Sequence, residues 1–200
     1  MHESSFRIPF SELSIQPGLK SNECHRNCLM HVTVRSERPT DIVMVREVHR
    51  AAFPSQAEAR LVDRLRGNGK AVVSLVGEVD GRLVGHILFS PVSVEGYREI
   101  TKGLGLAPVS VLPELQRHGI GSRLVQEGLA VLLRTDYQFV VVLGEPSFYG
   151  CFGFRDAGVL GLRNEYGAED AFMVLELRPG SLPKNGGLVK YSAEFAELTV

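Results

Sequence analysis

The sequence predicts an α+β domain, a mixed central β-sheet flanked by helices. Three observations carry this prediction. Strand-like and helix-like runs follow one another without strict alternation. A tight-hairpin signal, Asp80-Gly81, joins two early strands. A single amphipathic helix separates two apolar strands, and such a crossover makes that pair parallel. A chain of 200 residues suits one domain with a full-sized core and room for an appendage.

Residues 1–29 read as a loose extension. Pro, Ser, Gly, Asn and scattered charges dominate them, and no period of 2 or 3.6 persists. Met30 would serve as an alternative start for the folded part, residues 30–178. Residues 32–35 alternate as a short strand. Pro39-Thr40-Asp41 opens a helix with Ile42, Val45, Val48, His49 and Ala52 at helical spacing. Pro54 breaks it, and residues 57–66 give a second helix with Leu61, Val62 and Leu65 on one side, stopped by Gly67-Asn68-Gly69. Residues 71–78 and 83–89 are the hairpin strands, and residues 91–102 a polar connection. Residues 104–112 form an apolar strand ended by Pro113, and residues 119–134 a helix carrying Ile120, Leu124, Val125, Leu129, Val131 and Leu132. Residues 139–143 are apolar throughout, as in a strand covered on both faces. A short helix near residues 147–152 and a last strand at 171–177 follow. Residues 179–200 form a Gly- and Pro-rich tail that packs on the domain through Tyr191 and Phe195.

Composition excludes several classes. Lys+Arg 22 against Asp+Glu 23 leaves a formal charge of -1, so no general attraction to nucleic acid or an anionic membrane is expected. No apolar run approaches the roughly 18 residues of a membrane span. The N-terminus shows no basic start leading into an apolar block, so a cytoplasmic protein is expected, with its three cysteines as thiols. Cys24, Cys28 and His31, with His25 adjacent, would share a face only if that segment were helical, which its context opposes; no metal site is expected. Cys151 reads as a buried thiol rather than a nucleophile.

The chemistry concentrates between the strand at 104–112 and its helix, in Gln116-Arg117-His118-Gly119-Ile120-Gly121-Ser122. The first amides of a helix lack intrahelical acceptors and lie at the positive end of its dipole. Glycines let the backbone turn tightly and let a bulky anion approach those amides, while Arg117 and His118 add charge. Other phosphate loops fail the same test. No segment supplies Gly-x-x-x-x-Gly-Lys-Ser/Thr, and Gly-x-Gly-x-x-Gly breaks at Pro108 after Gly103 and at Leu124 after Gly119. A phosphate-holding turn that several cofactors could use remains, beside the alternative of a glycine turn that holds no ligand.

Val111-Leu112-Pro113-Glu114-Leu115-Gln116-Arg117-His118-Gly119-Ile120-Gly121 resembles the signature of the GNAT superfamily of N-acetyltransferases, Gln/Arg-x-x-Gly-x-Gly/Ala after a strand ending in Val-x-Pro. Phe148-Tyr149-Gly150-Cys151-Phe152-Gly153-Phe154 is similar to a second piece, Tyr-x-x-x-Gly-Phe, found after the fifth strand of many members. Gly85-His86-Ile87-Leu88-Phe89-Ser90-Pro91, Leu104-Gly105-Leu106-Ala107-Pro108 and Val142-Leu143-Gly144-Glu145-Pro146 resemble the branch of predicted N-acetyltransferases of the YhbS type. The likeness runs from about residue 32 to residue 177.

The resemblance implies a sheet splayed between its fourth and fifth strands and acetyl-CoA as the acyl donor, with no metal. It implies that the backbone of Val109, Ser110 and Val111 bonds the pantetheine arm, and that Gln116 to Ser122 wrap the pyrophosphate. Tyr149 falls where many members carry the tyrosine that protonates the leaving thiolate, and a phenol of pKa about 10 suits that task. The base is less defined: His86 has the right pKa range, and Glu145 lies at the end of the fifth strand, where many relatives carry Asn. The implied activity is direct acetyl transfer to a primary amine of a small molecule or peptide; a non-catalytic acyl-CoA-binding or regulatory module is the alternative. The acceptor, and homodimer formation, carry no code in the sequence.

Overall fold

Strand pairing explains the architecture more directly than the helices do. The computed structural model describes residues 31–96, 102–183 and 185–199. The expected extension, residues 1–29, with Cys24, His25 and Cys28, lies outside the described residues. The strands are β1 (Val32–Ser36), β2 (Val73–Val79), β3 (Arg82–Val94), β4 (Gly103–Val111), β5 (Phe139–Leu143), β6 (Arg155–Asp156), β7 (Leu162–Asn164), β8 (Phe172–Glu176) and β9 (Gly187–Tyr191). They pair in the order β1-β2-β3-β4-β5-β8-β6, with β9 bonded to β3 and β7. The helices are α1 (Ile42–Ala52), α2 (Ala57–Gly67), α3 (Ile120–Leu132) and the single turn α4 (Pro146–Tyr149).

Glycines show which face each helix covers. A Cβ at Gly77 or Gly85 would touch Leu124 and Ile120 of α3, and one at Gly128 of α3 would meet Phe89. Gly77 and alternate β3 residues from Gly85 to Phe89 therefore face α3. His86, between them, turns to the opposite face and meets His49 of α1. There α1 seats Val45, Val48 and His49, spaced three and four apart, on the sheet. Packed against α1, α2 buries Leu61, Val62 and Leu65.

The central strands part midway. β4 and β5 are parallel and pair only at Gly103↔Phe139, Leu104↔Val140 and Gly105↔Val141. β4 then runs on to Val111 along β3. Between Ile87↔Val109 and Phe89↔Leu106, two steps on β3 are matched by three on β4, so β4 carries a bulge near Ala107 and Pro108. A bulge bends its strand. This one falls where β4 leaves β5 and opens the expected splay.

Three strands escape the sequence reading. Two of them, β6 and β7, are too short to show a period. The third, β9, lies in the Gly- and Pro-rich tail, where it pairs Val92↔Tyr191 and Val94↔Val189. β3 also continues to Val94 rather than stopping at Phe89. Tyr191 and Phe195 are both buried.

Candidate active site

The expected donor residues gather at the open end of the splay. Backbone alternation decides which of them face it. Leu112 N–H donates to Val84 O at 2.9 Å, and in an antiparallel ladder such bonding recurs every second residue. The backbone groups of Ser110 therefore turn toward His86, its pairing partner. Those of Val109 and Val111 turn away from β3, into the space left by β5. Two of the three expected strand residues thus offer backbone to the splay. Ser110 offers its side chain to the α1 face instead, where its hydroxyl lies 3.4 Å from His49 Nε2.

Beyond Val111 the chain turns through a short 3-10 segment (Pro113–Leu115) into the loop before α3. Gln116 Nε2 donates to Val111 O at 3.1 Å, which fastens the loop to its strand. Arg117 and Gly119 hold positive φ, 61° and 82°. Glycine adopts this conformation freely, whereas Arg117 does so at a cost. His118 Nδ1–H donates to Gln116 O at 2.7 Å, and the Arg117 and His118 side chains are exposed. Ile120, Gly121 and Ser122 open α3, where helical amides lack acceptors. For Arg117, His118 and Gly119, no backbone bond to their amides is formed among the described residues. Gly121 has open space, since an added Cβ would find only Val111 Cγ2 at 3.9 Å. A run of unused amides at a helix start fits a polyphosphate.

Tyr149 closes the far side. It ends α4 just after β5, and its ring lies so close over Gly144 that a Cβ there would overlap it. Phe148 and Phe154 hold the ring edge-on, with centroids 5.0 and 5.6 Å away. Burial pushes the phenol well above its ordinary pKa of 10, so it keeps its proton at neutral pH. Glu145 is half-buried at the start of α4 and accepts a bond from Ser147 Oγ at 3.1 Å. Cys151 is half-buried and disulfide-bonded rather than a buried thiol.

His86 stands apart from these groups. It is fully buried on the α1 face, with both ring nitrogens engaged: Nδ1 lies 2.8 Å from His49 Nε2, and Nε2 lies 2.8 Å from Ser74 Oγ. Ser74 donates in turn to Glu37, whose Oε2 lies 3.5 Å from His86 Nε2. Burial pushes His86 below its ordinary pKa although the Glu37 carboxylate opposes that shift. His49 is pushed down further, by burial and then by His86. Buried polar atoms on this face without a partner among the described residues include His49 Nδ1, Ser90 Oγ and Tyr191 Oη. Ser90 pairs with Gly105, and the Tyr191 ring covers Gly105 so closely that a Cβ would come within 2.6 Å of it. The sequence reading missed His49, Glu37, Ser74, Ser90 and Tyr191 as functional candidates. The available signal was a histidine on the apolar stripe of α1.

No group of three or more His, Cys, Asp or Glu side chains converges as a metal site among the described residues. No helix among them is long and apolar enough to cross a membrane.

A mixed sheet that splays beyond the parallel β4–β5 pair, with unused amides at the following helix, defines an acyl-CoA-dependent acetyltransferase fold. The chain belongs to the GNAT acetyltransferase family, whose domain model matches residues 33–157. It is 38% identical over 164 residues to the N-acetyltransferase YhbS of Escherichia coli K12, covering 81% of this chain and 97% of that protein. The crystal structure of Escherichia coli YhbS in complex with CoA superposes with a TM-score of 0.78 at 37% identity, over 86% of this chain and 95% of that one. A GNAT family acetyltransferase from Brucella melitensis in complex with acetyl-CoA gives 0.69 at 37% identity, over 83% and 99%.

Proposed function

We propose that this protein moves an acetyl group from acetyl-CoA directly to the primary amine of a small molecule or peptide. The observation that carries the reading is two neighbouring groups of unused backbone donors, at Val109 and Val111 on the β4 edge and at Arg117–Ser122 at the start of α3. Val109 and Val111 would bond the pantetheine arm as an added strand, and Gln116 to Ser122 would hold the pyrophosphate. Bound there, acetyl-CoA supplies an activated acyl carbon. A backbone N–H of the β4 edge would polarise its carbonyl, a contribution worth about 10²–10³ in rate for one well-aimed donor. Tyr149, kept protonated by burial, would give its proton to the leaving sulfur. In this reading residues 30–178 carry the transferase and residues 179–200 complete it, bringing Tyr191 to the acceptor face.

The test pairs calorimetry with acetyl-CoA and a thiol-release assay over small-molecule and peptide amines. Binding with turnover on at least one amine is expected. Binding without turnover on any amine would make the chain an acyl-CoA-binding module, and failure to bind would remove both readings.

A further inference from the structure

The groups on the α1 face are ordered by their hydrogen bonds. We propose that Glu37, Ser74, His86 and His49 form a proton relay for the acceptor amine, with the His49 Nδ1 lone pair as its outer end. This rests on the acetyltransferase reading and names the base which that reading leaves open.

The direction of the relay follows from counting protons. Burial pushes the Glu37 carboxyl up, but the facing His86 ring, the Ser74 hydroxyl and the charge of Arg66 outweigh it and hold the carboxyl below the usual range, so Glu37 is ionised. A carboxylate only accepts, so the single hydroxyl proton of Ser74 goes to Glu37. Ser74 Oγ must then accept from His86 Nε2–H. A neutral imidazole has one N–H, which leaves His86 Nδ1 as an acceptor, and the 2.8 Å contact requires His49 Nε2–H to donate to it. Ser110 Oγ shares that proton at 3.4 Å. By the same rule His49 Nδ1 carries a lone pair, and it is the ring nitrogen without a partner among the described residues.

An ammonium arriving at His49 loses one N–H bond, and the electron pair stays on its nitrogen for attack. The proton bonds to His49 Nδ1, directly or through one water. The proton on His49 Nε2 crosses to His86 Nδ1, so His49 ends neutral and His86 becomes an imidazolium facing the Glu37 carboxylate. After product leaves, the reverse path returns the proton to solvent. The nitrogen sheds its second proton as the amide forms, and that proton restores the Tyr149 hydroxyl spent on the leaving sulfur, so charge and atoms balance without another reactant. The charged groups facing the pair are Glu37, ahead of α1, and Arg66 on α2; β2 and β4 present the Ser74 and Ser110 hydroxyls. Arg66 pairs with Glu37 at 2.5 Å and with Asp63 at 2.9 Å, and its charge keeps the imidazolium from becoming a permanent trap. His49 is thus the base, and Glu37, Ser74 and His86 act through it.

The test combines nitrogen-15 spectra of the histidines at neutral pH with kcat–pH profiles of the wild type, His49→Gln and Glu37→Gln. Both rings should be Nε2–H tautomers, with His49 Nδ1 unprotonated. His49→Gln should lower kcat about 100-fold or more at unchanged acetyl-CoA affinity and flatten the acid limb of the profile. Glu37→Gln should move that limb to lower pH, since the imidazolium loses its carboxylate; it carries the kinetic arm alone if His49→Gln does not fold. An Nδ1–H tautomer at His49 overturns the relay whatever the activity. So do variants within about threefold of wild type with an unmoved acid limb, well short of acid–base catalysis; wild-type thiol release would then leave the acetyltransferase reading standing. A wild type that releases no thiol with any amine fails that reading itself, and the relay with it.

Discussion

Two glycines, two residues apart in the phosphate-holding loop, should respond oppositely to the same added methyl. Gly119 sits at φ 82°, where an L-residue pays roughly 1–2 kcal/mol. Gly121 lies in the first turn of α3, where an alanine Cβ would have Val111 Cγ2 as its nearest neighbour at 3.9 Å. Replacement at a compatible helical position stabilises by about 0.4–1 kcal/mol through the unfolded chain. Gly119→Ala and Gly121→Ala should therefore differ by about 1.5–3 kcal/mol, or roughly 3–12 °C in Tm for a chain of this size. Donor binding should follow the backbone rather than the methyl. The signature that this loop resembles accepts Gly or Ala at the second position, so Gly121→Ala should bind CoA within about threefold of wild type, under 1 kcal/mol. Gly119→Ala redirects the following amides and should weaken binding at least about tenfold, or 1.4 kcal/mol. Urea unfolding and calorimetry with CoA measure both. Equal stabilities for the two variants, or a Gly121→Ala protein less stable than wild type, would refute the reasoning.

Removing only the hydroxyl with Tyr149→Phe should lower kcat by about 10²–10⁴ at unchanged acetyl-CoA affinity, and a loss below about threefold removes the acid role. Gly144→Ala would drive a Cβ into the Tyr149 ring. It should cost about 1–3 kcal/mol by overpacking and depress kcat as well; a stable, fully active variant would show that the ring is not pinned there. Asp41 accepts both prongs of Arg35, at 2.6 and 3.1 Å, and Arg38 N–H at 2.7 Å. Asp41→Asn should lose about 1–2 kcal/mol at neutral pH, as expected for charge-assisted bonds. The hydrogen bond from Arg35 holds the Asp41 pKa below its ordinary 3.8. A depressed carboxyl stabilises fully above its unfolded pKa and loses that stabilisation as pH falls through the folded one. The gap between variant and wild type in urea unfolding should therefore close below about pH 4 and persist above it.

What the sequence made legible follows the range of the interactions involved. The Asp80-Gly81 turn, with φ 50° and 76°, announces its own hairpin because its strain is local. β5 spans residues 139–143 as expected, since five consecutive apolar residues leave little choice. The loop at 116–122 was readable because helix-start chemistry depends on adjacent residues. His86 was not readable in the same way. It was identified as titratable, but its partners come from three distant places: Glu37 before α1, His49 on α1 and Ser74 on β2. His49 looked like one more position on an apolar stripe, and a stripe does not reveal that two polar positions face each other. Tyr191 was expected as an anchor, and it is one. Its approach to Gly105 depends on a β9–β3 pairing that no local pattern encodes.

The period of β4 explains how donor and acceptor chemistry can meet without mixing. Val111 turns its side chain to α3 and its backbone into the splay, as does Val109, its neighbour two residues away. Ser110, between them, turns its backbone to β3 and its hydroxyl to His49. One strand thus presents a thioester-binding edge and a proton-handling face at consecutive positions, about 3.4 Å apart along the chain. A one-residue slip of β4 against β3 would exchange the two sets and turn the Ser110 hydroxyl to α3, away from His49, while His86 stays on the α1 face. The bulge near Ala107 and Pro108 absorbs its extra residue on the Gly105 side of this segment, so the pairs at residues 109–111 stay in register. The same irregularity that opens the splay therefore leaves both chemistries aligned beside it.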